Sequence, residues 1–166
     1  MITTQRLTLR RARIEDLDDL HRVFSHPEAM RYWDSLPYSD IGQTRHLLEG
    51  MVYAASPDSD DFVVEYQGRA IGKAGCWGQG EIGIILHPDH WGQGLAREAL
   101  TAAIPHIFQT LHIDRLKADV DPRNAASLAL LTTLGFVEVG RESRTIKVGD
   151  HWCDSVYLEL PRPETC

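Results

Sequence analysis

Chemistry in this chain concentrates in residues 81–100, where an apolar run, Ile82-Gly-Ile-Ile-Leu86, passes through His87-Pro-Asp-His-Trp-Gly-Gln-Gly94 into a segment with helical patterning. A strand that turns through glycines straight into a helix builds an anion site. The first helical turn leaves backbone N–H groups without partners and carries the positive end of the helix dipole, so a phosphate is favoured there without any charged side chain. Gly92 and Gly94 lack a Cβ and let the backbone approach a bulky ligand closely. The loop therefore suits a phosphate-bearing cofactor, although two glycines would also serve a plain strand-to-helix turn. It has no Gly-Lys-Ser/Thr ending and no third glycine, which separates it from the nucleoside-triphosphate and dinucleotide loops. Arg97 and Arg123 are the side chains that could add positive charge to the loop amides.

Elsewhere, Asn124 and Ser127 have the spacing of a helix N-cap and the third helical residue, so Asn124 could simply cap a helix. Ser127 would then share a face with Leu131 and Leu134, where a hydroxyl adds nothing to packing. Glu81 opens the strand before the loop and on its own reads as an exposed strand-end carboxylate. His87, His90, His151 and Cys153 match none of the usual zinc spacings, so no metal is expected. Cys76 sits in an apolar stretch with no histidine or aspartate motif nearby, which suits a buried thiol better than a nucleophile.

The elements that must position these residues belong to one domain, residues 1–166. At 166 residues and 43% hydrophobic, the chain is long enough for one well-cored domain and short for two. With 17 Lys+Arg against 24 Asp+Glu the net charge is −7, which gives nonspecific nucleic-acid or membrane binding no electrostatic support and favours a cationic substrate. No apolar run approaches a membrane span and the first residues lack a secretion-signal core. Three widely spaced cysteines, Cys76, Cys153 and Cys166, suit a reducing compartment, so a cytoplasmic location is expected.

Alternation predicts a strand over residues 6–10, and the spacing of Leu17, Leu20, Val23 and Phe24 predicts a helix over 14–24. Residues 26–33 read as a short helical or looped piece, 40–55 as a helix and 56–61 as a solvated turn. Strands over 62–66, 69–77 and 81–87 are joined by turns at Gln67-Gly68 and Gly78-Gln-Gly80. The clearest helix follows the loop, from Ala96 to Leu111, with Pro105 inside it, where a kink or stop is expected. A strand over 115–120, a helix over 124–134 ending at Gly135, and a hairpin of 136–148 with 151–160 complete the chain.

The loop Trp91-Gly-Gln-Gly94-Leu-Ala96 resembles the pyrophosphate loop of the GNAT superfamily of N-acetyltransferases, with Trp91 at a position more often Gln or Arg. The opening Thr4-Gln-Arg-Leu-Thr-Leu-Arg10, His26-Pro-Glu-Ala-Met-Arg-Tyr-Trp33, Asp121-Pro-Arg-Asn-Ala-Ala-Ser127 with Leu134-Gly-Phe136, and Trp152-Cys-Asp154 resemble its Rim-type branch, which includes ribosomal-protein N-terminal acetyltransferases. The resemblance covers the whole chain and implies an α/β (α+β) GNAT fold, a mixed, mostly antiparallel twisted sheet flanked by helices. It implies acetyl-coenzyme A as cosubstrate and direct attack by a primary amine, an N-terminal α-amine or a small-molecule amine, in a ternary complex.

The same resemblance assigns roles. Backbone groups at Ile85 and Leu86, where the fourth strand splays from the fifth, would hold the pantetheine arm, and Gln93, Gly94, Leu95, Ala96 and Arg97 the pyrophosphate. Asn124 would touch the cofactor arm, Ser127 would serve as proton donor to the sulfur in place of the tyrosine many relatives carry where Leu131 stands, and Glu81 would take the amine proton through water. Tyr32 and Trp33 would wall the acceptor site, or form a core aromatic pair. An α-amine, with a pKa of about 7.8, is roughly a quarter neutral at pH ~7.4 and a lysine roughly one part in a thousand, so weak base catalysis favours α-amines. A homodimer through the last hairpin is compatible with the pattern. The alternative is a catalytically weak acyl-coenzyme A sensor or interaction module with the same loop.

Overall fold

The computed structural model describes residues 1–164, so Cys166 lies outside the described residues. Eight strands form one sheet in the order β1-β2-β3-β4-β5-β6-β8-β7. They are β1 Ile2–Thr3, β2 Leu7–Arg10, β3 Asp60–Tyr66, β4 Arg69–Gly78, β5 Glu81–Leu86, β6 Arg115–Val120, β7 Val137–Val148 and β8 His151–Pro161. Four α-helices, α1 Leu17–Phe24, α2 Ile41–Tyr53, α3 Leu95–Leu111 and α4 Ala125–Thr133, flank it. Every neighbouring pair is antiparallel except β5 and β6. The order of elements follows the expected one with the short β1 added.

Side-chain alternation divides the core. Phe62, Val64, Ile71 and Ala74 meet the apolar stripe of α3, Leu95, Ala99, Leu100, Ala103, Ile107 and Phe108. Val63, Ala70 and Ile85 point to the opposite face, beneath Leu20, Val23 and Phe24 of α1 and Leu48 of α2. Helix α3 is buried on the sheet along its length and runs on through Pro105 rather than ending there. Thr101, whose carbonyl the proline cannot satisfy, faces solvent, as does Pro105 itself, so that carbonyl is not buried without a partner. No helix of the described residues is long and apolar enough to cross a membrane.

Two acidic residues fall differently from the pattern reading. Asp60 and Asp61, expected in a solvated turn, open β3. Asp60 is 0% exposed; it accepts from Arg11 Nη2 at 2.7 Å, with His106 Nδ1 also at 2.7 Å. Asp61 pairs with the buried Lys73 at 2.7 Å. Burial there needs partners, which the strand register supplies.

The start of α1 is tied to the sheet by a second buried pair. Arg10 donates from Nη2 and Nη1 to the two carboxylate oxygens of Asp16 at 2.7 and 2.9 Å, and from Nε to Glu65 at 2.6 Å. Burial pushes the Asp16 carboxyl up, but the hydrogen bonds from Arg10 and the Arg13 amide outweigh it and hold the group below the usual aspartate range. Asp16→Ala should therefore cost about 3 kcal/mol in urea unfolding at neutral pH, because it strips a buried guanidinium of its bidentate partner. The depressed pKa means this contribution is complete above the unfolded-chain value of about 3.9 and is lost as pH falls through the lower folded value. Wild type and variant should converge in acid, and a difference that persisted or grew there would contradict this account.

Candidate active site

Strands β5 and β6 touch at one place. Glu81 stands opposite Lys117, and the Lys117 amide donates to the Gly80 carbonyl at 2.8 Å. Beyond that point β5 stays paired with β4 as far as Gly72 opposite Leu86, while β6 pairs with β8 from Arg115 opposite Pro161 to Val120 opposite Val156. The strands diverge, and a cleft of about 750 Å³ opens between them. Its walls are β5, the first turn of α3, the end of β6, the start of α4 and part of residues 28–33.

Antiparallel pairing decides which β5 groups face the gap. The His87 amide donates to Ile71 at 2.8 Å, so by alternation Ile85 and Lys73 form the next hydrogen-bonded pair, and Ile84 and Leu86 turn their N–H and C=O away from β4. The Leu86 carbonyl does point that way, since it accepts from Trp91 Nε1 at 2.9 Å. Ile85, expected to present its backbone here, lines the cleft, but by this register it turns its N–H and C=O toward β4. Ile84, which pattern reading passed over, takes its place beside Leu86.

The loop at the base follows from its residues. His87 caps a short 3-10 turn, Pro88–His90, by accepting the Asp89 amide on Nδ1 at 3.2 Å. Gly92 and Gly94 adopt φ of +71° and +76°, a region that costs residues with a Cβ roughly 1–2 kcal/mol. Gly94 is the N-cap of α3 and has no side chain to give. Among the described residues, the amides of residues 93–97 donate to no acceptor, and the first helical bond is Glu98 N–H to the Gly94 carbonyl at 3.0 Å. Unpaired donors in a glycine cradle at a helix start fit a diphosphate. Gly94, Leu95, Ala96 and Arg97 line the cleft; Gln93 does not, and its side chain turns back to the Asp89 carbonyl at 3.2 Å. Arg123 is held by Asp121, at 2.7 Å from Nη2 and 3.0 Å from Nε, which takes up its charge.

Across the cleft, Asn124 caps α4, its Oδ1 accepting the Ser127 amide at 3.2 Å. Ser127 lines the cleft. Its hydroxyl makes no hydrogen bond among the described residues, so its proton is free for a ligand. Glu81 also lines the cleft. Partial desolvation between the walls, then the negative charges of Asp119 and Asp34, push its carboxyl above the usual glutamate range, against the pull of Lys117 and Trp77. A carboxylate so placed binds a proton more readily than an ordinary glutamate.

Tyr32 and Trp33 both line the same opening. Tyr32 lies under the Arg123 guanidinium, 5.6 Å from ring centroid to Cζ. Trp33 meets Phe24 on the core side and Trp77 on the cleft side, with centroids 6.2 and 5.8 Å apart, so Trp33 alone packs against the core and the two residues do not form a core aromatic pair. Trp77 itself was missed by pattern reading. Its indole lies over Gly83, where a Cβ would come within 2.0 Å of Cη2, and under Lys73 Nζ at 4.5 Å. The signal was present as a glycine in the middle of an apolar strand, which marks a close approach. Cys76 is buried and burial pushes its thiol up, so it stays protonated.

The family model described as Acetyltransferase (GNAT) domain matches residues 6–137. The uncharacterized N-acetyltransferase p20 of Bacillus licheniformis is 34% identical over 147 residues, 82% of each chain. The [Ribosomal protein uS5]-alanine N-acetyltransferase of Escherichia coli is 40% identical over 83 residues, 50% of this chain and 43% of that protein. The crystal structure of spermidine N-acetyltransferase from Vibrio cholerae in complex with CoA and spermine aligns with a TM-score of 0.81 at 25% identity, over 95% of this chain and 96% of that one.

The Trp77 wall is directly testable. Gly83→Ala should push the indole off β5 and out of the cleft, seen as a changed near-UV circular dichroism spectrum at nearly unchanged melting temperature. An unaltered spectrum would show that Trp77 does not rest where the structure puts it.

Proposed function

The chain belongs to the acetyltransferase (GNAT) domain family, and on that premise we propose that it moves the acetyl group of acetyl-coenzyme A to a primary amine, an N-terminal α-amine or a small-molecule amine, by direct attack in a ternary complex. The observation that carries the reading is one cleft lined both by unpaired helix-start amides and by the free Ser127 hydroxyl. Relatives whose names specify spermidine or a ribosomal-protein alanine as substrate both act on amines, and the second supports placement near the Rim-type branch.

Bound acetyl-coenzyme A supplies the activated acyl group as a thioester. The amides of residues 94–97 and the side chain of Arg97 hold the diphosphate. The open edge of β5 at Ile84 bonds the pantetheine arm, and the Asn124 segment closes on it from α4. The Leu86 N–H offers a donor where negative charge develops on the acyl oxygen. Glu81 accepts the amine proton through water, and its raised pKa brings it nearer to the amine it serves. Ser127 Oγ gives its proton to the departing sulfur as the C–N bond forms and the C–S bond breaks, and regains one from solvent. Tyr32, Trp33 and Trp77 wall the acceptor end. A sensor that binds the carrier without turnover is the competing reading, favoured only by the capping bond of Asn124 to Ser127 N–H, which a plain helix start would also use.

Ser127→Ala should lower kcat by about a hundredfold, within the usual range for general acid catalysis, and leave coenzyme A affinity unchanged in calorimetry. Amine-independent binding with no thiol release in the wild type, over a panel of peptides and polyamines, would favour the sensor. Glu81→Gln addresses the base. In the wild type kcat/KM should rise with pH through the raised Glu81 pKa, above the ordinary value of about 4.3, and then with deprotonation of the acceptor. The variant should keep only the second limb; two intact limbs would remove Glu81 from the mechanism.

A further inference from the structure

The turn between β1 and β2 reaches across to the cofactor loop. Arg6 donates from its backbone N–H and from Nε to the two carboxylate oxygens of Glu98, each at 2.7 Å, and from Nη1 to the Gln93 carbonyl at 2.8 Å. Thr4 Oγ1 donates to the same Glu98 carboxylate at 2.6 Å and accepts the Leu7 amide at 2.9 Å. Glu98 is the fourth residue of α3, so Arg6 grips the loop and the helix start together. Its Nη2 stands 3.5 Å from the Cβ position of Gly94, on the loop's outer side, and Arg6 is not among the residues lining the cleft.

In a trans peptide the C=O and the following N–H point in opposite directions. A Gln93 carbonyl drawn outward to Arg6 therefore turns the Gly94 N–H toward the cleft. Gly94, at positive φ, could otherwise let this peptide rotate and present an oxygen to an anion. Glu98 matters as well. Burial pushes its carboxyl up, but Thr4 and Arg6 outweigh this and keep it ionised, so Arg6 also pairs a negative charge one turn from the anion site.

We propose that Arg6 is a positioning residue for diphosphate binding: from behind the loop it locks the Gln93–Gly94 peptide with its N–H directed into the cleft. The proposal rests on the acetyl-coenzyme A reading and extends it to a residue outside the glycine motif. Arg6→Lys is the informative variant, because a lysine keeps the ion pair with Glu98 but has no second arm for the Gln93 carbonyl. Calorimetry with coenzyme A and with pantetheine, which lacks the diphosphate, separates the possibilities. In Arg6→Lys, coenzyme A affinity should fall roughly tenfold, as for loss of one charge-assisted bond, with pantetheine affinity and melting temperature nearly unchanged. Turnover should show a raised KM for acetyl-coenzyme A at similar kcat. Arg6→Ala should lose at least as much affinity, and adding Glu98→Gln should not restore it. Coenzyme A affinity equal to wild type in Arg6→Lys, equal losses for both ligands, or rescue by Glu98→Gln would each overturn the proposal. Failure of the wild type to bind coenzyme A would instead overturn the reading on which it rests.

Discussion

Two half-sheets that meet at a single rung are the constraint on which the site depends. Every other neighbouring pair in the sheet is antiparallel, whereas β5 and β6 run parallel and touch only where Glu81 faces Lys117. From there each strand is claimed by its outer neighbour, β5 by β4 and β6 by β8, and the inner edges cannot satisfy one another. A buried backbone group left unpaired costs about 1–3 kcal/mol. The parting is therefore tolerated only as a cleft, wet or filled by a ligand that brings its own donors and acceptors. Trp91 shows the same requirement met from within: its indole occupies the Leu86 carbonyl and leaves the rest of the edge open.

The cleft is electrically unsymmetrical, and the asymmetry has separate structural sources. At the loop end the positive field comes from amides and the α3 dipole, with Arg97 beside them and Arg123 already taken up by Asp121. Toward the opposite end Glu81 lies in the field of Asp119 and Asp34. The field would favour an anion and a cation in different regions of one opening, in a chain whose net charge of −7 would otherwise discourage the anion.

Local signals carried most of what could be read from residue order. The α3 stripe, the hairpin turn at Gln67-Gly68, the Asn124 cap and the positive-φ glycines of the loop are each set by neighbours a few residues apart. What escaped reading depends on partners far along the chain. Asp60 looked like a turn residue until Arg11 and His106 reached it. Ile85 and Ile84 are indistinguishable by hydrophobicity, and only the register with β4 decides which turns its backbone to the gap. Arg6 and Gln93 are 87 positions apart, and nothing in either segment names the other.

The Trp77 side of the cleft shows how such remote partners act in series. Lys73 is 5% exposed, a burial that a lysine tolerates only with its charge met. Asp61 meets it at 2.7 Å, and the ammonium in turn lies 4.5 Å from the centre of the Trp77 ring. Burial pushes the Asp61 carboxyl above the usual aspartate range, against the pull of Lys73. The indole it supports can approach β5 this closely only because position 83 is glycine. A buried ion pair, a cation–π contact and a missing Cβ together fix one aromatic side chain at the edge of the cleft.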